Sequence, residues 1–358
     1  MRVGLVGCGF IGTVHSFALR QLSRAGLIDA SVTATYDADP ARAEAAAAAH
    51  DAAVAVPDVG ALIDAVDVVW VCTWTAAHAA PVHAAAEAGR PVFCEKPLAP
   101  TLSQCEAVAA DLRRVPHQVG LVLRYAPVFR AAAEAVESGP FGPPLAAVLR
   151  DDQYFPIQGM YGSTWRGDVG KAGGGTLIEH SIHDLDVLSR VLGELESVSA
   201  RTACRFGHAG IEDVADVTLT YAGGAIATLM SVWHQVTSRP STRRLEVFCQ
   251  DALLWTDDDY LGPLHVETSD GTELIEGSLP PWADRLDVPA DLVAPLAQYA
   301  EPAKAFLDAL ARDGAATRGE PDVEVALAAH RVVDSAYRSA AAGGASVVAV
   351  PGAAAPSR

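Results

Sequence analysis

Along the first 120 residues, short apolar runs alternate with longer stretches of helical spacing. Residues 2–6, 32–36, 66–73, 91–94 and 118–123 read as strands, and 14–26, 40–50, 61–65, 79–88 and 102–114 as helices. The run at 66–73 is almost wholly apolar, as a strand covered on both faces must be. Pro40 at a helix start and Gly89 at a helix end punctuate the pattern as expected. Such alternation predicts a parallel sheet with helices on both faces. After Arg124 the texture changes. Strand-like stretches follow one another at 145–150, 198–205, 214–221, 225–233, 244–249, 253–256 and 264–267, with Ala222-Gly223-Gly224 as a hairpin turn. A helix over 177–192 interrupts them, and helices at 301–311 and 323–342 close the chain. The pattern therefore predicts an α/β domain over 1–123 and a mostly antiparallel α+β domain over 124–350. The Ala/Gly/Pro/Ser tail from Gly352 reads as frayed.

Composition narrows the function classes. The 358 residues carry a formal charge of -18, which argues against nucleic acid or an anionic membrane as partner. No apolar run reaches the roughly 20 residues of a membrane span; the richest stretch, 66–80, is broken by Asp67, Thr73, Thr75 and His78. The sequence opens on a strand-like run rather than a basic and then apolar leader pattern, so no cleaved leader is expected. Six cysteines show no C-x-x-C spacing, so reduced thiols and a cytoplasmic location are expected. Only Lys96, Lys171 and Lys304 are lysine among 26 basic residues. A lysine kept against that bias points to chemistry arginine cannot do, because lysine readily changes protonation state.

Gly7-Cys8-Gly9-Phe10-Ile11-Gly12 follows the first strand and opens the first helix. Gly7 permits the tight turn, Gly9 lets backbone approach a pyrophosphate, and Gly12 lets helix pack on strand. Phe10 and Ile11 sit at the helix N-terminus, where unpaired N–H groups face phosphates. Asp37, ending the second strand, is placed to bind the adenosine ribose hydroxyls and repel a 2′-phosphate, which favours NAD. Arg42 nearby keeps NADP open.

Further motifs extend this pattern over nearly the whole chain. Cys72-Thr73-Trp74-Thr75-Ala76-Ala77-His78, Glu95-Lys96-Pro97, Arg124-Tyr125-Ala126-Pro127, Gly139–Pro143 and Gly173 to Asp186 occur in that order. Together they resemble the glucose–fructose oxidoreductase / inositol dehydrogenase family (Gfo/Idh/MocA). The resemblance implies an N-terminal Rossmann domain and a C-terminal open-faced sheet. It also implies cofactor contacts from Thr73, Trp74, Thr75, His78, Glu95 and Lys96. Trp74 and Thr75 replace the family's usual Pro and Asn, Glu179 replaces Asp, and His180 is not typical.

On a continuous helix, Glu179, His183, Asp186 and Arg190 share one side and Ile178, Ile182, Leu185 and Leu188 the other. That stripe is either a solvated face with ordinary ion pairs or part of a site. Gly173-Gly174-Gly175 ahead of it favours close approach of backbone to something, which the resemblance names as nicotinamide and substrate. Alcohol oxidation needs a base poised near neutral pH. The resemblance assigns that work to His183, with Lys96 polarising the oxygen and sharing the relay, and Glu179 holding a second hydroxyl or orienting His183. The Lys96–Pro97 bond is a candidate cis peptide. Arg124, Tyr125, Tyr161, Trp165, Arg166 and His180 are the candidate substrate contacts, aromatic and polar as a sugar or polyol requires. Glu179, His180, His183 and Asp184 lack convincing metal-ligand spacing, so no metal is expected.

The implied activity is NAD(P)-dependent oxidation of a secondary alcohol of a sugar, cyclitol or sugar derivative. Two rivals stand beside it: a glycosidase or lyase that uses NAD transiently, and a non-catalytic nucleotide sensor, which retention of Lys96 and His183 disfavours. An open sheet needs its bare face covered, so a homodimer or homotetramer is expected.

Overall fold

The computed structural model describes residues 1–51, 53–314 and 319–348; the expected frayed tail lies outside them. The chain forms two compact units, Met1–Val122 with Leu279–Ala326, and Leu123–Ser278 with the stretch from Leu327.

In the first unit the order is β1 (Arg2–Val6), α1 (Phe10–Arg24), β2 (Ser31–Tyr36), α2 (Pro40–Ala48), β3 (Val54–Ala55), α3 (Val59–Ala65), β4 (Val68–Val71), α4 (Ala79–Glu87), β5 (Val92–Cys94), α5 (Leu102–Leu112) and β6 (His117–Val119). All strand pairs are parallel, in the order β3-β2-β1-β4-β5-β6. This is the doubly wound Rossmann arrangement, whose order reverses between β1 and β4 and opens a crevice at the carboxyl ends there. β4 is buried at every position. Asp39, Asp58 and Thr101 cap α2, α3 and α5 with their side chains.

The second unit opens with α6 (Pro127–Glu137), a helix the strand-dominated pattern hid, started by Pro127 at its first position. There follow β7 (Pro144–Tyr154), α7 (Val169–Ala172), α8 (Thr176–Glu179), α9 (Ile182–Leu192), β8 (Leu195–Ala203), β9 (Val214–Tyr221), β10 (Ile226–His234), β11 (Thr242–Cys249), β12 (Leu253–Trp255), β13 (Leu264–Thr268) and β14 (Gly271–Ile275). With β15 (Val347–Val348) they form a nine-stranded sheet in the order β14-β13-β12-β11-β7-β10-β9-β8-β15. Its pairs are antiparallel apart from β10 on β7. One sheet face shares a continuous core with α6, α9 and the later helix α11 (Val323–Ala341), through Phe129, Leu185, Leu188, Val332 and Val333.

Two expectations need correction. The helix expected over 301–311 is α10 (Ala290–Asp313), which runs through Pro295 and Pro302 and belongs to the first unit, not the second. Its stripe of Leu296, Ala300, Ala303, Phe306 and Leu307 joins the core of Leu19, Leu22 and Trp70. Trp70 stacks on Phe93 at 4.6 Å and meets Phe306 at 6.1 Å between ring centres. That packing outweighs the prolines, which locally disfavour helix. α11 (Val323–Ala341) follows the expected course. The helix expected over 177–192 is two helices, α8 and α9, broken at His180 and Ser181. Ser181 Oγ hydrogen-bonds to Asp151 and Ser231, both at 2.6 Å, and these contacts pull the backbone out of helical register.

Candidate active site

In the first unit, four sequence-predicted segments gather at the carboxyl ends of adjacent parallel strands: the glycine loop after β1, Asp37 after β2, Thr73–Thr75 after β4, and Glu95-Lys96 after β5. Gly7 has φ +93, and a Cβ there would lie 2.6 Å from the Cys72 backbone. A Cβ on Gly12 would lie 2.1 Å from the Gly7 carbonyl oxygen. Gly9 is different, since nothing lies within 4 Å of where its Cβ would be. That open space, at the N-terminus of a helix with no side-chain cap, is what a pyrophosphate group needs. Phe10 and Trp74 are exposed at this edge and Ile11 is half-buried. Asp37 Oδ2 accepts the Cys8 N–H at 2.7 Å, and Oδ1 accepts the Asp39 N–H at 2.9 Å. Burial, with the Asp37 charge beside it, pushes the Cys8 thiol up to about 12, so no thiolate opposes an anionic ligand.

Two other predicted residues hold the edge together. His78 is buried, its Nδ1 2.8 Å from the Pro97 carbonyl oxygen and its Nε2 3.0 Å from that of Thr73. Its ring thus ties the loop after β4 to the loop after β5. Glu95 is buried, with Oε1 2.7 Å from His15 Nε2 and Oε2 accepting the Lys96 N–H at 3.1 Å. A Cβ on Gly120 would collide with that carboxylate at 2.3 Å. The Lys96–Pro97 bond is cis, and the Lys96 side chain is half-buried.

In the second unit three of the four residues of the polar stripe, Glu179, His183 and Asp186, are buried, His183 at 8 % exposure, and only Arg190 is exposed. Glu179 Oε2 accepts from Arg166 Nε at 3.0 Å, and the Arg166 guanidinium lies 4.5 Å from the Trp165 ring centre. Three candidate substrate residues therefore form one assembly. Arg124 grips Asp186 through two bonds of 2.7 Å, and Arg190 donates to the Arg124 carbonyl oxygen at 3.0 Å. Tyr125 lies under Arg130 at 6.0 Å. Tyr161 packs against Tyr154 at 5.4 Å, and burial pushes its hydroxyl up to about 12.

The three glycines have a structural reason that the sequence did not disclose. Gly173 takes φ +86 to end α7. A Cβ on Gly174 would lie 2.3 Å from the Tyr337 hydroxyl, and one on Gly175 1.8 Å from the Glu212 carbonyl oxygen. The close approach is thus to this chain's own Glu212 and Tyr337. Glu212 is buried and accepts the N–H groups of Gly175 and Leu177 and the Tyr337 hydroxyl at 2.7, 3.0 and 2.9 Å. Burial lifts its carboxyl above the usual range, those hydrogen bonds opposing. Gly175→Ala is expected to destabilise the protein by about 2 kcal/mol or more, since backbone must move to admit the methyl group. Urea denaturation measures it, and an unchanged midpoint would contradict the packing described.

Comparison with known proteins decides the family. Residues 1–121 match the model of the oxidoreductase family with an NAD-binding Rossmann fold, and 129–254 match the GFO/IDH/MocA C-terminal domain. The chain is 31% identical over 285 residues to the inositol 2-dehydrogenase of Rhizobium meliloti, covering 76% of this chain and 80% of that one. The chain belongs to the Gfo/Idh/MocA oxidoreductase family. It is also 30% identical to the myo-inositol 2-dehydrogenase of Thermotoga maritima over 269 residues, 72% of this chain and 75% of that one. An oxidoreductase domain protein from Kribbella flavida superposes with a TM-score of 0.85 at 25% identity, over 97% of this chain and 98% of that one. A levoglucosan dehydrogenase, solved with NADH and L-sorbose, shares the fold at TM-score 0.86 and 23% identity, over 98% and 99% of the two chains.

As a Gfo/Idh/MocA protein the chain binds NAD through its Rossmann unit, and the open space at Gly9 and the uncapped α1 N-terminus fit that cofactor. Glu212, Asp151, Asp259 and Arg243, all prominent in the second unit, were missed from sequence because their partners lie 16 to 125 residues away along the chain. His180, expected to contact substrate, has its Nδ1 2.9 Å from Asp151 and its Nε2 2.9 Å from Arg243. Among the described residues no group of three or more His, Cys, Asp or Glu is arranged to hold a metal, and no helix is long and apolar enough to cross a membrane.

Proposed function

We propose that this oxidoreductase acts on CH–OH groups, reversibly oxidising a secondary alcohol of a sugar, cyclitol or sugar derivative. The carrying observation is that a complete dinucleotide edge ending in Lys96 occurs together with a buried imidazole, His183, in a chain whose curated relatives are named inositol dehydrogenases. NAD, held by the glycine loop at Gly7–Gly12 and by Asp37, would supply the hydride acceptor. The residues of the chain do the rest. His183 takes the hydroxyl proton on its imidazole nitrogen. Lys96 polarises the hydroxyl oxygen through its ammonium. Arg166, held by Glu179 and backed by Trp165, offers donors and an aromatic face to a polyhydroxylated ring. Purified protein with NAD and a panel of sugars and cyclitols is expected to form NADH with at least one of them.

NAD is expected to bind at least about tenfold more tightly than NADP, because the Asp37 carboxylate, pinned by the Cys8 N–H, repels a 2′-phosphate. Calorimetric titration of both dinucleotides checks this, and Asp37→Ala is expected to narrow the gap. Equal affinity in the unmodified protein would remove the role given to Asp37.

We also infer a homo-oligomer joined through the bare face of the nine-stranded sheet. Val148, Ile226, Met230 and Phe248 are exposed on its central strands, and a self-complementary patch of this kind suits a two-fold pair. Light scattering at micromolar concentration is expected to give a multiple of 37.3 kDa; the monomer mass would contradict it. The six cysteines are all free, which supports a reducing, cytoplasmic location.

A further inference from the structure

A buried charged cluster lies beneath the His180–Ser181 break, and the proposed chemistry uses none of it. Ser231 on β10, Asp151 on β7 and Arg243 on β11 stand side by side across three adjacent strands. Asp184, in the first turn of α9, reaches the same place from the helix layer. Asp151 and Asp184 are fully buried and Arg243 nearly so. Arg243 donates from Nε to Asp184 Oδ1 at 2.7 Å, from Nη1 to Asp259 Oδ1 at 3.2 Å, and from Nη2 to His180 Nε2 at 2.9 Å. A guanidinium can only donate, so His180 Nε2 is an acceptor and the ring proton sits on Nδ1, 2.9 Å from Asp151 Oδ2.

Two oxygens remain. Asp151 Oδ1 and Asp184 Oδ2 are buried, and neither receives an N–H or O–H. Arg243 Nη2 is 3.7 Å from Asp151 Oδ1, too far for a hydrogen bond. Both carboxyl groups converge on one guanidinium, Asp184 Oδ1 2.7 Å from Arg243 Nε and Asp151 Oδ1 3.7 Å from its Nη2. Two ionised carboxylates crowded on a single cation, away from water, repel each other and lose their hydration. One proton between them satisfies both orphaned atoms.

We propose that Asp151 and Asp184 hold one proton between them at neutral pH, resident on Asp184 and donated to Asp151. The residue that follows His183 is then a neutral donor, not an anion. The surrounding charges agree. Burial opposes ionisation of Asp151, but the Arg243 charge, with the His180 N–H beside it, overcomes it and holds that carboxyl well below the usual range. At Asp184, burial and the neighbouring Asp151 charge outweigh Arg243 and lift the carboxyl well above it. Burial also raises Asp259, which faces Arg243 from the loop after β12, and Tyr161 stands beside both.

The sign of the consequence follows from linkage. In the unfolded chain both carboxyls ionise above about pH 4. The folded pair keeps one proton, so its stability contribution is lost as pH rises from there towards the pair's own, higher value. Asp184→Asn supplies the same donor without a titrating proton. Urea unfolding of the full chain and of Asp184→Asn is compared between pH 5.5 and 7.5. The ratio of the unmodified to the variant unfolding constant is expected to rise up to about tenfold per pH unit, the value for one proton. A flat ratio means both carboxyls are ionised in the folded protein and overturns the proposal. If Asp184→Asn does not fold, carbon-13 NMR of the unmodified chain serves. One aspartic carboxyl with the shift of a neutral acid at pH 7, retained in Asp259→Asn, supports the shared proton, and its absence contradicts it. Neither readout depends on which alcohol, if any, is oxidised.

Discussion

His183→Ala is expected to lower kcat by roughly 10²–10⁴, the usual worth of a positioned acid–base group, while leaving NAD affinity nearly unchanged. The imidazole lies in the first turn of α9, within the second unit. The dinucleotide edge belongs to the first unit, so removing the ring leaves the glycine loop, Asp37 and the His78 bridge in place. What is lost is the acceptor for the hydroxyl proton. Hydride transfer needs alignment of donor and acceptor carbons and no protein group of its own, so the defect falls on turnover. Steady-state kinetics with any accepted alcohol, beside a dinucleotide titration, separates the two effects. Turnover close to that of the unmodified protein would show that His183 is not the base.

Lys96→Ala is expected to reduce turnover on the same scale, and Lys96→Arg almost as severely. The structure makes this pair of variants informative. The bond from Lys96 to the Glu95 carboxylate comes from the backbone N–H, and His15 holds the other carboxylate oxygen. Both bonds survive a change of side chain, so the loop keeps its anchor and only the ammonium is altered. Arginine retains the positive charge but cannot yield a proton near neutral pH. Near-normal turnover of Lys96→Arg would mean that Lys96 supplies charge alone, leaving His183 as the sole proton acceptor.

The cofactor side of the molecule was legible in sequence because its signals are local. A strand, a glycine loop, a helix start and an acid at the next strand end lie within residues 2–37, and parallel topology brings the later segments to the same edge. The substrate side was less legible because its decisive contacts are long-range. Nothing local at His180–Ser181 forbids helix; the break depends on Asp151 and Ser231, which are 30 and 50 residues away from Ser181. Gly174 and Gly175 signalled a close approach correctly, yet the neighbours approached are Tyr337 and Glu212. Glu179 was visible as a lengthened acid, but its Arg166 partner and the Trp165 ring behind it needed coordinates. The first half of α10, ahead of the expected 301–311, escaped because Pro295 and Pro302 weigh heavily in local propensity and lightly against the buried Leu296 and Ala300.

The central claim, hydride transfer from a secondary carbinol of a sugar or cyclitol, is tested most directly by isotope. The purified protein is given NAD and myo-inositol or a sugar deuterated at its carbinol carbons, and the reduced dinucleotide is examined by mass spectrometry. Formation of NADH carrying one deuterium is the predicted result. Cofactor that binds but stays oxidised across the whole panel, or NADH without deuterium, would contradict it.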